Sequence, residues 1–531
     1  MQTGRKEIFT DVESITSKNI IEVLQKAMLD FTNVSNDCKS LINYEKGVQP
    51  ITREKTYRSD INCQCIDNVA NEITDFKLGF QWANPTTFVQ RGEKNNSEFN
   101  IADAISILND QYDIAGIRKN TQKLGYFVET TGIGYVLIDI NSDGWEEGDS
   151  YFTHDVLDNS CTFIVKSSLY LDRRPMLGVT FRTDECGNRY FTCFTPGNRY
   201  EIYNLTKIIG EDAEKKADKW VEGERSGEKN PLGIIPIVEY IRSHDRMGCF
   251  ERQISEMNNL NLLISDFTND VEQNTQAIWH TNDVEFPKKN VENPDGTTHE
   301  ETIRPKANDW LQTYTTPDGK TPSIKPLSID YDYEGMLNNI ITRRALILQK
   351  CNVPQRNDNS GGSTGIAMDS ATGWTAAETS ASKQQSIIDD SKMKELKVVL
   401  RAIKKHPNVP ADSPLLKLKF SDMRPNTNRQ KNYELTTKIN FFATGLSHGL
   451  NGLHLLKAMN AFEDVNQVWE DSKETIEKYQ KSVFDNVGDN KAVGGVGEPA
   501  PNADRISTDY SDQEKNSPSM DGQGTEKVNS K

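Results

Sequence analysis

Long apolar runs are missing. A membrane helix needs about 20 consecutive apolar residues, and the best stretch of the 531-residue chain, Leu232 to Ile241, is interrupted by Pro236 and Glu239. The N-terminal MQTGRKEIFTDVES has no apolar core, so no secretory signal is expected and the chain should be soluble and made in a cytoplasm. Cysteine is sparse, eight in 531 residues, which excludes a disulfide scaffold. Cys63-x-Cys65 is the one close pair; with no second pair or adjacent His it lacks the four ligands of a structural zinc site, and it reads as two buried helix thiols. No metal or cofactor is assigned. An excess of base is also lacking, because 62 Lys and Arg face 78 Asp and Glu, giving a net charge of −16. Global attraction to nucleic acid is thereby excluded, and any DNA contact must be local. Only 35% of residues are hydrophobic and the mean hydropathy is −0.67, polar for a chain long enough for several domains and fitting a subunit of a large assembly.

Catalytic constellations are equally scarce. The seven His residues (154, 244, 280, 299, 406, 448 and 454) are scattered, and no acid/base pair or metal triad emerges. Gly361-Gly362-Ser363-Thr364-Gly365 matches the spacing of a nucleophile elbow, but QRNDNS before it cannot be the buried core strand that the strained turn requires. The same loop lacks the Gly-Lys-Ser/Thr ending of a phosphate-binding loop, so no nucleotide hydrolysis is expected. Asp139, Asn141, Asp143 and Gly144 copy the first half of a calcium loop, yet Ser150 stands where the bidentate Glu belongs, and a hairpin turn explains them better. The chain is not expected to be an enzyme; a calcium-dependent hydrolase is the rival reading.

What is present is a succession of contrasting segments. Ile20, Val23, Leu24, Ala27 and Phe31 recur at helical steps, a second helix is expected over Ile61 to Phe76, and a third over Ile101 to about Lys123. From Gly132 the period falls to two, with GYVLIDI, CTFIVKSSLYL, MLGVTFRT and NRYFTCFT separated by turn signals, so strands and hairpins follow. The first half is therefore α+β. Ile254, Met257, Leu260, Ile264, Phe267 and Val271 then share one face of a long amphipathic helix over Glu251 to His280, whose Asn-rich opposite face is expected to meet solvent. A proline-rich, β-rich excursion separates it from a second helix, Asp332 to Cys351, with Arg343, Arg344 and Lys350 toward its C-terminal end. The polar loop after it carries Arg356, Asn357, Asp358, Asn359, Gly361, Gly362, Ser363 and Gly365, and a loop of this length is usually functional. Between Glu334 and Lys405 eleven basic residues outnumber seven acidic ones, a local +4 in a chain of −16. After Phe484 there is no Leu, Phe or Trp, so the tail is expected to be disordered.

Four segments in this order resemble the portal proteins of tailed bacteriophages, in particular the siphophage type from phages of Gram-positive hosts. They are DNVANEITDFKLGFQWANPTTF with GIGYVLIDINSDG after it; NPLGIIPIVEYI running into the helix that bears Ser265, Asp266, Asn269, Asp270 and Glu272; CNVPQRNDNSGGSTGIAMDSATGW; and KNYELTTKINFFATGLSHGLNGLHLLKAMNAFEDVNQVWED. The resemblance implies a portal fold with a wing (1–250, with helix 374–406), a two-helix stem (251–281 and 329–351), a β-rich clip (282–328), a tunnel loop (352–373), a long helix returning toward the crown (374–426), a helical crown (427–485) and a disordered tail (486–531). It further implies a homo-oligomeric ring, usually of twelve subunits, at the capsid portal vertex of the virion. Viral double-stranded DNA would pass through its axis during packaging and ejection, with the tunnel-loop residues nearest the duplex and Arg343, Arg344 and Lys350 as basic candidates facing the channel. The stripe from Ile254 to Val271 would form the ring contact. The partners it implies are the terminase large subunit, a head-tail connector or adaptor, and the major capsid and scaffolding proteins, with no membrane. Another capsid structural protein, a minor head protein or connector, is the alternative reading.

Overall fold

The computed structural model describes residues 4–51, 59–91, 100–171, 173–208, 216–275, 279–282, 288–292, 294, 296–302, 322–326, 332–355, 373–427, 434–459 and 465–489. They divide between two compact units, one within 1–432 and 461–464, the other within 433–460 and 465–531.

In the first unit β1 (Ile8–Thr10) leads to α1 (Ile20–Glu45), and the helical steps Ile20, Val23, Leu24, Ala27 and Phe31 are all buried along one stripe. The helix expected from Ile61 is corrected. Residues 61–68 are an extended strap in which Asn62, Gln64 and Ile66 face outward, and α2 (Val69–Gln81) starts where the Asn68 side chain accepts the Asn71 N–H as an N-cap. Cys63 and Cys65 are thus neither helical nor buried. β2 (Thr87–Gln90) precedes α3 (Ile101–Ile114) and α4 (Ile117–Thr131). The one helix expected over these last two is split because Gly116 adopts φ +80, a left-handed conformation that ends a helix and suits glycine. Gly132, at φ +84, turns α4 straight into β3; a Cβ there would lie 2.5 Å from the Arg246 carbonyl.

The strands β3 (Ile133–Ile140), β4 (Phe152–Leu157), β5 (Thr162–Ser167), β6 (Pro175–Thr183), β7 (Arg189–Phe194), β8 (Asn198–Ile208), β9 (Lys216–Glu222), β10 (Glu228–Lys229) and β11 (Ile237–Ile241) follow. They form a seven-stranded sheet, β1-β5-β6-β7-β8-β10 with β9 also on β8, and a three-stranded sheet β11-β3-β4. β1 is parallel to β5, and the other pairs are antiparallel. Alternation along β3 and β11 explains the layering, since side chains of a strand point to opposite faces in turn. Ile133, Tyr135 and Ile237 join a core shared with α1 and the larger sheet, while Val136, Ile138, Val238 and Tyr240 join one shared with α3 and α4.

Next come α5 (Ile254–Thr275), β12 (Trp279–Asn282), β13 (Lys288–Glu292), β14 (Thr298–Thr302), β15 (Ser323–Pro326), α6 (Tyr333–Lys350) and α7 (Trp374–Lys405). The expected helix to His280 is corrected: Trp279 and His280 are in β12, paired antiparallel with β15, and β13 pairs with β14 in a second ribbon. β16 (Met423–Asn426) closes the unit by pairing with β2, and Ile388, Leu396, Val399 and Ile403 of α7 fill the α3–α4 core. A third core holds Leu41, Tyr44, Val69, Ile73, Met257, Leu260, Ile340, Ile347 and Leu348, joining α1, α2, α5 and α6.

The second unit contains α8 (Glu434–Ser447), α9 (Gly452–Met459) and α10 (Val465–Asp489), with Leu446, Leu455, Leu456 and Met459 buried. α10 extends past the expected end at 485; residues 490–531 lie outside the described residues.

Candidate assembly and channel elements

α5 and α6 pack on each other, and the charged and aromatic ends of the pair are locally joined. Arg343 lies 3.7 Å from Glu256, Asn274 bonds the Tyr333 hydroxyl, and the Phe267 and Tyr333 rings meet edge to face at 6.0 Å. The stripe from Ile254 to Val271 does not present a common outer surface. Met257 and Leu260 are fully buried against α2 and α6, so their assignment to a contact between subunits is corrected: they are core of this chain. Ile254, Ile264 and Phe267 are partly buried against the same core, and Val271 is exposed. Apart from Val271, the exposed large apolar residues described on the pair lie on α6, where Leu337, Ile341 and Leu346 are 46%, 56% and 46% accessible.

The polar face of α5 is the second surprise. Asn261, Ser265 and Asn269, spaced by four, are each buried to 1% accessibility or less beneath the strap. Asn269 accepts the Cys63 N–H (2.7 Å) and donates to the Cys63 carbonyl (3.1 Å). Ser265 accepts the Cys65 N–H at 3.0 Å, and Asn261 accepts the Asp67 N–H at 3.0 Å while donating to Gln49. Helix residues four apart rise about 6 Å, nearly the span of two residues of extended chain, so one row of side chains can serve the alternate amides of a strand. This row satisfies backbone groups that would otherwise be buried unpaired, and it is why residues 61–67 are extended and why the Asn-rich face is not open to solvent.

Of the basic candidates, Arg344 is committed within the chain. It bonds Asp67 at 2.9 Å and also Glu72; burial would lower its pKa, but these two carboxylates outweigh it and raise it. Arg343 donates to Asn339 at 2.9 Å and remains partly exposed. Lys350 lines an open cavity of about 330 Å³ together with Arg242, Arg252 and Lys383. Those three partners were not singled out in the sequence, since Arg242 and Arg252 lie about a hundred residues before Lys350, and Lys383 lies on the far side of the polar loop. Arg356, Asn357, Asp358, Asn359, Gly361, Gly362, Ser363 and Gly365 lie outside the described residues.

α7, which follows that loop, is held by two buried carboxylates. Glu129 on α4 accepts from Trp82 (3.0 Å), Arg242 (2.9 Å) and Gln384 of α7. Glu395 on α7 receives Lys392 at 3.1 Å, bonds the Tyr240 hydroxyl and lies 3.4 Å from His154. Burial alone would raise the Glu395 carboxyl, yet Lys392, His154 and Tyr240 hold it well below the usual range. A third carboxylate, Glu239 on β11, meets Arg246 at 2.7 Å and Lys166 at 3.2 Å; burial opposes its ionisation, but these cations hold it at about 2. Asp139 and Asn141 bond the Ile140 N–H and the Ser150 carbonyl, as hairpin residues do, and among the described residues no group of three His, Cys, Asp or Glu could hold a metal ion.

Residues 41–440 match the phage portal protein family described as SPP1 Gp6-like. The chain belongs to this family. The matched span takes in the strap, α2, the strands β2 to β16, the α5–α6 pair and α7, so membership rests on most of the first unit rather than on one motif. Membership gives the chain the general role of a DNA-packaging channel protein of a phage and places it among the proteins of the virion. No curated protein matches the chain. Among the described residues no helix is long and apolar enough to cross a membrane.

Proposed function

We propose that this portal chain assembles into a closed homo-oligomeric ring, of twelve subunits as the resemblance implies, at one capsid vertex, and that double-stranded DNA enters and leaves through its axis. The family match over residues 41–440 carries the reading. In it, α5 and α6 are the stem, the β12–β15 and β13–β14 ribbons between them belong to the clip, α8 to α10 are the crown, and residues 352–373 are the tunnel loop beside the duplex. Leu337 and Ile341, one turn apart and exposed on α6, replace Met257 and Leu260 as the stem residues that meet the neighbouring subunit, because exposed apolar side chains in a polar chain favour burial at a contact. The clip receives the terminase large subunit during packaging and a head-tail connector afterwards, while major capsid and scaffolding proteins surround the wing. The phage is of the siphophage type from a Gram-positive host. The chain acts as conduit and docking ring and not as an enzyme; terminase supplies the hydrolysis. A net charge of −16 fits a channel that must not trap phosphates. Mass photometry tests the assembly: a species many times the 60.0 kDa chain is expected, and a monomer at every concentration and salt would contradict it.

A further inference from the structure

The strap carries one feature that a DNA conduit does not use. Cys63 and Cys65 point to the same side of an extended chain, their sulfurs are 3.5 Å apart, and both residues are partly exposed. Their backbone is not free to rearrange, since Asn269 holds both the N–H and the carbonyl of Cys63, and Ser265 holds the N–H of Cys65. Two sulfurs bound to one tetrahedral ion at about 2.3 Å stand about 3.8 Å apart, within a few tenths of the separation already present. A disulfide needs Cβ atoms about 3.8 Å apart, whereas alternate residues of an extended chain have Cα atoms about 6.7 Å apart with nearly parallel Cβ bonds. The clamped strap therefore suits chelation better than oxidation.

We propose that Cys63 and Cys65 form a preorganised dithiol site for a thiophilic cation of the zinc, cadmium or copper(I) class. Each ion bound displaces the two thiol protons to solvent and forms two metal–sulfur bonds, so affinity rises with pH. Thr268 adds a third group: its hydroxyl proton is given to the Ile264 carbonyl at 2.9 Å, leaving oxygen lone pairs 3.6 Å from the Cys65 sulfur. Glu272, one turn further along α5, adds negative charge that acts on Cys63 and favours a cation there. Water completes the shell. A weak-ligand remainder and partial exposure make this an exchangeable site, unlike the closed four-ligand centres that hold structural zinc.

The test is titration of the reduced, full-length protein with Cd²⁺, read by the ultraviolet sulfur-to-cadmium charge-transfer band and by mass-spectrometric mapping of alkylated cysteines. One equivalent is expected to produce the band and to protect Cys63 and Cys65, but not the exposed Cys186, from alkylation. Cys63→Ser and Cys65→Ser should each abolish the band, Cys186→Ser should keep it, and Asn269→Ala should weaken binding about 10-fold by loosening the clamp. The idea is overturned by a wild-type protein that gives no band, by protection that maps to other cysteines, or by rapid closure of the pair to a disulfide in air. The mapping arm uses wild-type protein alone, so a variant that fails to fold leaves the outcome decidable. Because the readout needs neither ring nor DNA, it fails or succeeds independently of the assembly reading.

Discussion

At the scale of single residues, the least expected feature is how many buried polar groups this polar chain uses to define its interior. Glu129, Glu251 and Glu395 are buried and Glu239 nearly so, and each is bonded to at least one partner from a distant segment. None was visible beforehand, because Glu is among the commonest surface residues and its partners, such as Arg242 for Glu129 or His154 for Glu395, come from far along the chain. The same blindness applied to Asn261, Ser265 and Asn269: their spacing of four was plain, but a polar helical face looks identical whether water or a backbone strap lies on it. Glu239 gives a pH-dependent test. Its ordinary carboxyl value is 4.5 and the folded value is about 2, so its stabilisation is complete above 4.5 and is lost as pH falls toward 2. Glu239→Gln leaves Arg246 and Lys166 with Glu7 as their remaining counter-charge and should cost about 3 kcal/mol at pH 7, the low end for breaking a buried pair. The difference in melting temperature between wild type and variant should then shrink as pH drops below 4.5; a difference independent of pH would mean that Glu239 is not ionised in the fold.

Elements with strong periodicity were legible, and those ordered by partners were not. The stripe of α1 identified a helix because its apolar side chains had one face to bury, and the β-branched and aromatic run of β3 identified a strand, although both of its faces are buried. The α5 stripe was also right as a pattern and mistaken in its partner, since the sequence marks a face for burial without saying which chain buries it. Met257 and Leu260 go into the core with Ile340, Ile347 and Leu348, while Leu337 and Ile341 of α6 remain outside. This distinction separates folding from assembly. Leu337→Asp with Ile341→Asp is expected to leave the melting profile of the subunit close to wild type while abolishing the large species in mass photometry. Met257→Asp, by contrast, places a charge in the core and should prevent folding altogether. If the double α6 variant still assembles, the contact between subunits lies on another face.

For the whole molecule, order of elements carried more than any single motif: strands, a helix pair separated by ribbons, a polar loop and a long helix in succession pointed to a portal, and the match over residues 41–440 bears out that family. What stayed illegible is collective, since a ring is defined by surfaces whose partners are other copies of the same chain. In the proposed ring, the polar loop 352–373 lies beside the duplex. Replacing Gly361 and Gly362 by Pro stiffens it without touching α5 or α6, and is expected to leave assembly intact while lowering the DNA packaged in vitro at least several-fold. Normal packaging by correctly assembled mutant particles would remove loop flexibility from the mechanism. The most direct measurement is electron microscopy of the purified full-length protein. Closed rings with an axial channel wide enough for duplex DNA and the α5–α6 pairs arrayed around it are the expected result; particles that are monomeric, open or without a through-channel would contradict the reading of this chain as a DNA conduit.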